Sequence, residues 1–185
     1  MAEDLRIIKN KRNMEAALIG LMKEKPFSKI TIQDICKSAL VSRSTFYAHY
    51  LDKYDLLENI VDRYVALLQE LVASRFSTVD AMDMATVFSL LAQTYRQHRE
   101  SFSVLLHVRV PECDFREKIE QLLFSHCLAF LETQSHQYVM PDALIAKLYV
   151  SNVMTLMTWT LEHGLDEAAV RNLQQLQAVF LREKL

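Results

Sequence analysis

Residues 31–50 read TIQDICKSALVSRSTFYAHY, which divides into two short segments on either side of a tight turn. The first begins with Thr31 and carries Asp34 three residues later, a capping-box pattern that satisfies the N–H groups of a helix's first turn. Apolar residues then recur at the spacing of one helix face and predict a helix of about two turns. They are Ile32, Ile35, Cys36 and Ala39.

A second short helix follows, with Ser42 as its candidate N-cap. Phe46 and Tyr50 lie four residues apart and are predicted to share an inward face. Two short helices joined by about three residues, the second polar on its outer face, describe a helix-turn-helix. Similar helix pairs occur in all-α domains of other functions, so the pattern alone leaves the function open. The outward side chains are Arg43, Ser44, Thr45, Tyr47 and His49.

These outward side chains have the chemistry that recognition of DNA requires. An α-helix fits the major groove, where donor-rich side chains reach phosphates and base edges. Arg43 suits a guanine edge or a phosphate, and Thr45 suits a thymine methyl group. Tyr47 and His49 are long enough to reach backbone oxygens. Lys53 adds its charge to the N-terminal dipole of the next helix and is expected to contact a phosphate.

The composition predicts an all-α fold. Only 2 Gly and 3 Pro occur in 185 residues, and sheets consume these residues in their turns. We expect about nine helices, including a separate short one at residues 102–106. The first is predicted for residues 11–25 and ends before Pro26. Asp52 is the candidate cap of a long helix that ends near Arg75.

Charge is divided unevenly along the chain. Residues 5–53 hold ten Lys or Arg and four Asp or Glu, whereas the rest of the chain holds 11 basic and 19 acidic residues. A basic head on an acidic body suits a protein that touches phosphates at one end. Basic tracts are also common as solvated helix faces, so the charge distribution supports DNA binding without establishing it.

Residues 11–62 closely resemble the DNA-binding domain of the tetracycline-repressor (TetR) family. That family has a threonine at the start of its second helix, an I-A-x-x-A-G-V-S turn, then T-[LF]-Y-x-[HY]-F and a lysine. One position departs from the pattern, because Leu40 replaces the turn glycine and would be strained in a left-handed conformation. The matching residues are Thr31, Ile35, Ala39, Val41, Ser42, Thr45, Phe46, Tyr47, His49, Tyr50 and Lys53.

The resemblance implies a role for each matching residue. Thr31, Tyr47 and Lys53 would contact phosphates. Phe46 and Tyr50 would hold the recognition helix to its neighbours. The predicted DNA-binding residues, including those that face the groove, are Thr31, Ser42, Arg43, Ser44, Thr45, Tyr47, His49 and Lys53.

The second half of the chain is expected to dimerise. Residues 1–62 would form the three-helix DNA-binding domain, and residues 63–185 a helical domain for effector binding and dimerisation. The stretch from Tyr149 to Leu176 resembles the C-terminal domain of a TetR subgroup common in low-GC Gram-positive bacteria. Helices near 142–163 and 167–183 would form the dimer interface. The first is apolar on nearly all sides and so needs burial on two sides, and a two-fold dimer matches a palindromic operator.

Two kinds of effector remain open from the sequence. The resemblance implies a small molecule held among the C-terminal helices, and the available side chains favour an apolar or aromatic one. Its candidate pocket residues are Phe88, Tyr95, Phe102, Phe130, Tyr149 and Met154. The alternative is a metal-responsive regulator that uses thiol and imidazole ligands, although none of them shows ligand spacing. Those residues are His98, His107, Cys113, His126, Cys127 and His136.

Other classes of protein fit less well. No glycine-rich phosphate loop, H-E-x-x-H or G-x-S-x-G motif occurs, so we expect neither an enzyme nor a cofactor. No stretch of about 18 uncharged apolar residues occurs, and the N-terminus lacks a secretory signal. Three widely spaced cysteines suit a reducing cytoplasm. A co-regulator that acts mainly through protein–protein contact is the remaining alternative, because the acidic body and Leu40 leave room for it.

Overall fold

The computed structural model describes residues 2–76, 84–111, 113–133, 140–164 and 168, in some helical stretches by their backbone alone. These residues contain α-helices, one 3-10 helix and no strand, so the predicted all-α class is confirmed. The α-helices are α1 (Ala2–Glu24), α2 (Ile32–Ala39), α3 (Arg43–Tyr47), α4 (Lys53–Phe76), α5 (Met84–Leu105), α6 (Phe115–Thr133) and α7 (Asp142–His163), and the 3-10 helix is Phe27–Lys29.

The described residues contain seven α-helices and one 3-10 helix, against about nine helices expected for the whole chain. Residues 102–105 are not a separate helix but the end of α5, which continues through a non-helical residue, His98, with φ −123° and ψ 17°. One residue outside the helical region bends the helix without ending it, so the change of periodicity in the sequence marks a kink. Helix α1 begins at Ala2, earlier than residue 11. The predicted last helix, 167–183, lies outside the described residues.

The chain divides into two compact units. The first comprises Met1–Tyr64 with Glu100–Phe115, and the second comprises Val65–Arg99 with Arg116–Leu185. The first unit therefore takes in α1 to α3, the start of α4 and the end of α5. The predicted domain boundary between residues 62 and 63 stays a prediction.

An aromatic cluster joins the sequence-distant parts of the first unit. Tyr64 lies with its ring centroid 5.2 Å from that of Phe102 and 6.3 Å from that of Phe115. The rings of Phe102 and Phe115 stack at 5.7 Å with an interplanar angle of 23°. All three are buried, and such pairs contribute about 0.5–1.5 kcal/mol beyond the burial of their area. This cluster ties the end of α5 to α4.

The predicted helix caps are present. Thr31 Oγ1 accepts the N–H of Asp34 at 3.1 Å, and the Asp34 carboxylate accepts the N–H of Thr31 at 2.9 Å. Ser42 Oγ accepts the N–H of Thr45 at 3.0 Å. Asp52 Oδ1 accepts two N–H groups of the first turn of α4, at 2.7 and 2.9 Å. Each such cap stabilises its helix by about 1 kcal/mol.

Leu40 keeps the left-handed conformation that the turn requires. Its φ is 55° and its ψ is 42°, and 91% of its surface is exposed. The N–H of Val41 donates to the carbonyl of Cys36 at 3.0 Å, the six-residue closure of a Schellman motif. Leucine therefore carries the strain of this geometry without a compensating burial of its side chain.

Helices α6 and α7 supply a buried stripe each to the second unit. Arg99 donates to the carbonyl of Leu161 at 3.1 Å, which ties α5 to the end of α7. None of the described helices is long and apolar enough to span a bilayer. The buried residues of α6 and α7 include Ile119, Leu123, Cys127, Leu131, Ile145, Tyr149, Val153, Met154 and Leu156.

We predict that Leu40→Gly stabilises the protein by about 1 kcal/mol, because glycine adopts the left-handed conformation without steric cost. Urea denaturation followed by circular dichroism measures this change. Leu51→Gly is the matched control: Leu51 is 83% exposed and its φ is not positive. The control should lose stability, since glycine increases the entropy of the unfolded chain. Equal effects of both substitutions would contradict the strain argument.

The capping box also predicts a response to acid. Hydrogen bonds from Lys25, at 2.7 Å, and from Thr31 lower the pKa of Asp34 from 3.8 to about 2. A lowered folded-state pKa means that the carboxylate stabilises the fold above its unfolded pKa, near 4, and that this stabilisation is lost as the pH falls towards 2. Asp34→Asn should therefore be less stable than the wild type at pH 7, and the difference should shrink as the pH falls from about 4 to 2. Denaturation at several pH values tests this, and a difference that is as large at pH 2 as at pH 7 would contradict it.

Candidate nucleic-acid interface

The outer face of α3 is polar and accessible. Arg43, Ser44 and Tyr47 are exposed, and Thr45 and His49 are half-buried. On the opposite face Phe46 is fully buried and Tyr50 is 3% exposed. The structure thus brings the predicted groove-facing residues together on one short helix and its flanks, and it confirms the inward positions of both aromatic anchors.

The start of α3 carries three linked hydroxyl groups. Ser42 Oγ lies 2.8 Å from Ser44 Oγ and 2.8 Å from Thr45 Oγ1, in addition to capping the helix. Hydrogen bonds of this kind fix the rotamers of short side chains. Ser44 and Thr45 are therefore held in position before any ligand arrives, and Ser42 supplies the restraint.

The buried thiol of Cys36 hydrogen-bonds to the end of the turn between α2 and α3. Cys36 Sγ lies 3.9 Å from the carbonyl oxygen of Ser42, to which it donates. Burial raises the pKa of Cys36, so the thiol keeps the proton that it donates. The contact links the last turn of α2 to the residue that caps α3.

Aromatic contacts of Phe46 hold the side chains of α3 and of the residues after it in place. The Phe46 ring meets Tyr47 edge to face at 5.6 Å, and it lies 5.8 Å from Tyr50. The Lys11 ammonium lies 6.0 Å from the centroid of the Tyr50 ring. Burial, chiefly, raises the pKa of Tyr50 to about 12 and keeps it neutral. Tyr47, 51% exposed, is thus supported from one side and accessible from the other.

Lys53 makes a contact that its sequence position does not reveal. Its ammonium donates to the carbonyls of Phe27 at 2.9 Å, Ser28 at 3.2 Å and Ile30 at 2.8 Å. It also lies 4.8 Å from the ring centroid of Phe27 and 5.5 Å from that of Tyr54. We call this arrangement the Lys53 clamp. It joins the start of α4 to the 3-10 helix and the residue that follows it.

The clamp accounts for all three ammonium hydrogens of Lys53. A phosphate contact by Lys53 would replace at least one carbonyl partner, and the expected phosphate role stays a prediction. Thr31 is exposed, but its hydroxyl already caps α2. Exposed cations elsewhere in the first unit include Lys29, Lys37 and Arg43.

The expected effector residues fall in different parts of the molecule. The side chains of Phe88 and Tyr95 lie outside those described. Phe102 belongs to the aromatic cluster of the first unit, whereas Phe130, Tyr149 and Met154 belong to the second. Met154 lines a cleft of about 650 Å³ between α6 and α7, together with Phe124, Glu120 and Lys147.

The described part of the chain contains no group of three or more His, Cys, Asp or Glu side chains placed to hold a metal ion. His136, one of the candidate ligands, lies outside that part. His107 and His126 each bring Nδ1 within 2.9 Å of a carbonyl oxygen one helical turn earlier.

The N-terminal part of the chain matches the sequence model of a known family. Residues 15–60 match the sequence model described as "Bacterial regulatory proteins, tetR family". This segment contains the end of α1, both helices of the helix-turn-helix and the Lys53 clamp. The chain therefore carries, at residues 15–60, a segment similar to the TetR family of bacterial regulatory proteins. This similarity agrees with the predicted class of DNA-binding regulator.

The relatives of this chain share its fold more than its sequence. YxbF of Bacillus subtilis, named as an HTH-type transcriptional regulator, is 29% identical over 98 residues, 51% of this chain and 26% of that protein. The chain thus spans about a quarter of that relative. Several solved structures match nearly the whole chain, including one from Streptococcus agalactiae and one from Pseudomonas aeruginosa. A TetR regulator of Streptococcus agalactiae has a TM-score of 0.62 at 22% identity, covering 98% of this chain and 99% of that one.

The second structure is NalD of Pseudomonas aeruginosa, described as the secondary repressor of the MexAB-OprM multidrug efflux pump. It has a TM-score of 0.76 at 17% identity, covering 99% of this chain and 100% of that one. At these identities the structural matches show a shared TetR fold.

We predict that Lys53→Met lowers the free energy of unfolding by about 1–3 kcal/mol, because the clamp carbonyls lose a charged donor while the aliphatic stem is kept. Lys29→Met, an exposed lysine in the neighbouring 3-10 helix, should change stability by less than about 0.5 kcal/mol. Urea titration of both variants measures the difference. A Lys53→Met variant as stable as Lys29→Met would show that the clamp contributes nothing.

Proposed function

We propose that this chain is a sequence-specific DNA-binding transcription regulator of the TetR family, acting in the bacterial cytoplasm, whose helix α3 enters the major groove. The observation that carries the proposal is the two-faced character of α3. Its buried Phe46 and Tyr50 fix the helix, and its accessible Arg43 and Tyr47 face outward. A helix held in this way presents hydrogen-bond donors in a fixed geometry, which recognition of base edges requires.

The roles of the individual side chains follow from their length and burial. Arg43 is the residue we assign to base reading, because guanidinium groups bind guanine bidentately. Tyr47 and the α2 N-terminus at Thr31 are assigned to phosphates. Ser44 and Thr45 contact the groove with hydroxyls that Ser42 orients, and His49 reaches the backbone.

For Lys53 we propose a positioning role in place of the phosphate contact that the resemblance implies. We assign it the positioning of the helix-turn-helix relative to α4, through the carbonyls of Phe27, Ser28 and Ile30. A lysine that contacts a phosphate adds about one unit to the salt dependence of binding, whereas a positioning lysine leaves that slope unchanged.

We further propose that the protein acts as a homodimer on a palindromic operator. Helix α7 buries one side within its own unit, yet it exposes 44% of Leu144 and 49% of Trp159. At 3.6 residues per turn, Leu144, Leu148 and Trp159 fall within about 60° of one another around the helix. Pairing this face with a second copy covers it, with the segment 167–183 as the expected second element of the interface. Two-fold symmetry then places two α3 helices in successive major grooves.

Repression relieved by a small-molecule effector is the form of regulation we propose. NalD, which shares the fold, is described as a repressor. The candidate effector residues of the second unit are Phe130, Tyr149 and Met154, and Phe88 and Tyr95 remain candidates on sequence grounds. The co-regulator alternative depended partly on the substitution of the turn glycine by Leu40, but Leu40 keeps the left-handed conformation. This geometry favours direct binding to DNA.

The test is selection of bound fragments from random DNA by the purified protein, followed by affinity measurements on the selected site. Arg43→Ala should weaken binding by about 1–3 kcal/mol and relax the preference at one base pair. Arg116→Ala, which removes a half-buried arginine of the second unit, should bind like the wild type. Absence of any enriched sequence at low salt would overturn the proposal and favour a protein partner.

A further inference from the structure

A second cleft lies within the first unit and belongs to none of the sites assigned above. It has a volume of about 660 Å³, within the range of small-molecule pockets. Its walls come from the end of α1, the 3-10 helix, the start of α4, the end of α5 and the segment up to Pro111. The aromatic cluster of Tyr64, Phe102 and Phe115 holds these segments in one unit.

The lining combines apolar surface with positive charge. Phe27, Val104 and Val108 provide apolar contacts, and Tyr54 meets Phe27 edge to face at 5.2 Å. The charged lining residues are Lys23 and Arg109, while no acidic side chain of the described residues lines the cleft. The cleft between α6 and α7 differs in this respect, because Glu117 and Glu120 offset its Arg116 and Lys147.

Both cations of the cleft are available to a ligand. Lys23 pairs with Glu100 and Arg109 pairs with Asp114, and the two cations are 41% and 52% exposed. An exposed ion pair such as Lys23–Glu100 contributes about 0–1 kcal/mol, so an incoming anion can compete for Lys23 at low cost. The Asp114 side chain is only 17% exposed and contacts Nη1 of Arg109, so the anion binds the other N–H groups of this guanidinium. An arginine also binds a carboxylate bidentately, which fixes its orientation.

We propose that this cleft binds a small amphiphilic carboxylate. Its apolar or aromatic part lies against Phe27, Tyr54 and Val108, and its carboxylate lies against Arg109 and Lys23. The apolar walls account for affinity through buried area, and the paired cations account for selection of an anion over a neutral analogue.

Occupancy of the cleft bears directly on the helix-turn-helix. Phe27 and Ser28 line the cleft and also supply two of the three carbonyls of the Lys53 clamp. Tyr54 lines it as well and adjoins Lys53 in α4. A ligand seated there contacts the residues that join α4 to the 3-10 helix, and so it changes DNA affinity. This regulatory consequence rests on the proposed function, whereas ligand binding itself does not.

The experiment titrates the full-length protein with 4-phenylbutyrate and, separately, with 4-phenylbutan-1-ol, by isothermal calorimetry. We expect saturable binding of one acid per chain and at least tenfold weaker binding of the alcohol. Val108→Trp fills the cleft and should abolish binding. Arg109→Gln, at an exposed position that leaves the core intact, should weaken binding of the acid tenfold or more. Arg116→Gln, in the other cleft, is the matched control and should bind the acid like the wild type.

Three results would overturn the proposal: no saturable heat with the acid, equal affinity for acid and alcohol, or loss of binding in Arg116→Gln but not in Arg109→Gln. The selected DNA site is then titrated with and without the acid. Acid binding without any DNA binding would refute the proposed function and leave the cleft assignment intact. DNA binding without acid binding would refute the cleft assignment and leave the proposed function intact.

Discussion

A helix of five residues cannot maintain its own shape in water, because the cost of nucleating a helix exceeds what so few hydrogen bonds return. Helix α3, Arg43–Tyr47, is such a helix, and the rest of the first unit compensates for this. Burial of Phe46 fixes its inner face, Ser42 satisfies its first turn, and Leu40 directs the chain into it. The outward residues are ordered only because these supports lie outside the helix itself.

Structural features that depend on contacts within about four residues of the chain could be predicted from the sequence. The caps at Thr31, Ser42 and Asp52 were predicted, and so were the buried faces of α2 and α3, because backbone geometry alone determines which groups can meet at those spacings. The strain at Leu40 was anticipated from the family resemblance instead, because the pattern has a glycine at that position of the turn. The structure keeps the left-handed conformation there.

Contacts between distant segments were not predictable in this way. The carbonyls that Lys53 binds lie 23 to 26 residues earlier in the chain, and a carbonyl group leaves no trace in the residue type that bears it. For the same reason the sequence does not reveal that Phe102, one of the predicted effector residues, packs in the first unit against Tyr64 and Phe115. The kink at His98 also appears in the sequence as a break between helices, since periodicity does not distinguish a bend from an end.

The rate at which a reagent modifies the buried cysteines measures how often the structure around each of them opens. Cys36 lies under the helix-turn-helix in the first unit and is 6% exposed, while Cys127 lies in the second unit and is 2% exposed. An alkylating reagent reaches a buried thiol only when the surrounding structure opens, so the modification rate reports the free energy of that opening. Mass spectrometry of the two cysteine peptides would therefore compare local opening around Cys36, in the helix-turn-helix, with local opening around Cys127, in the second unit. Both rates are measured in a single unlabelled chain.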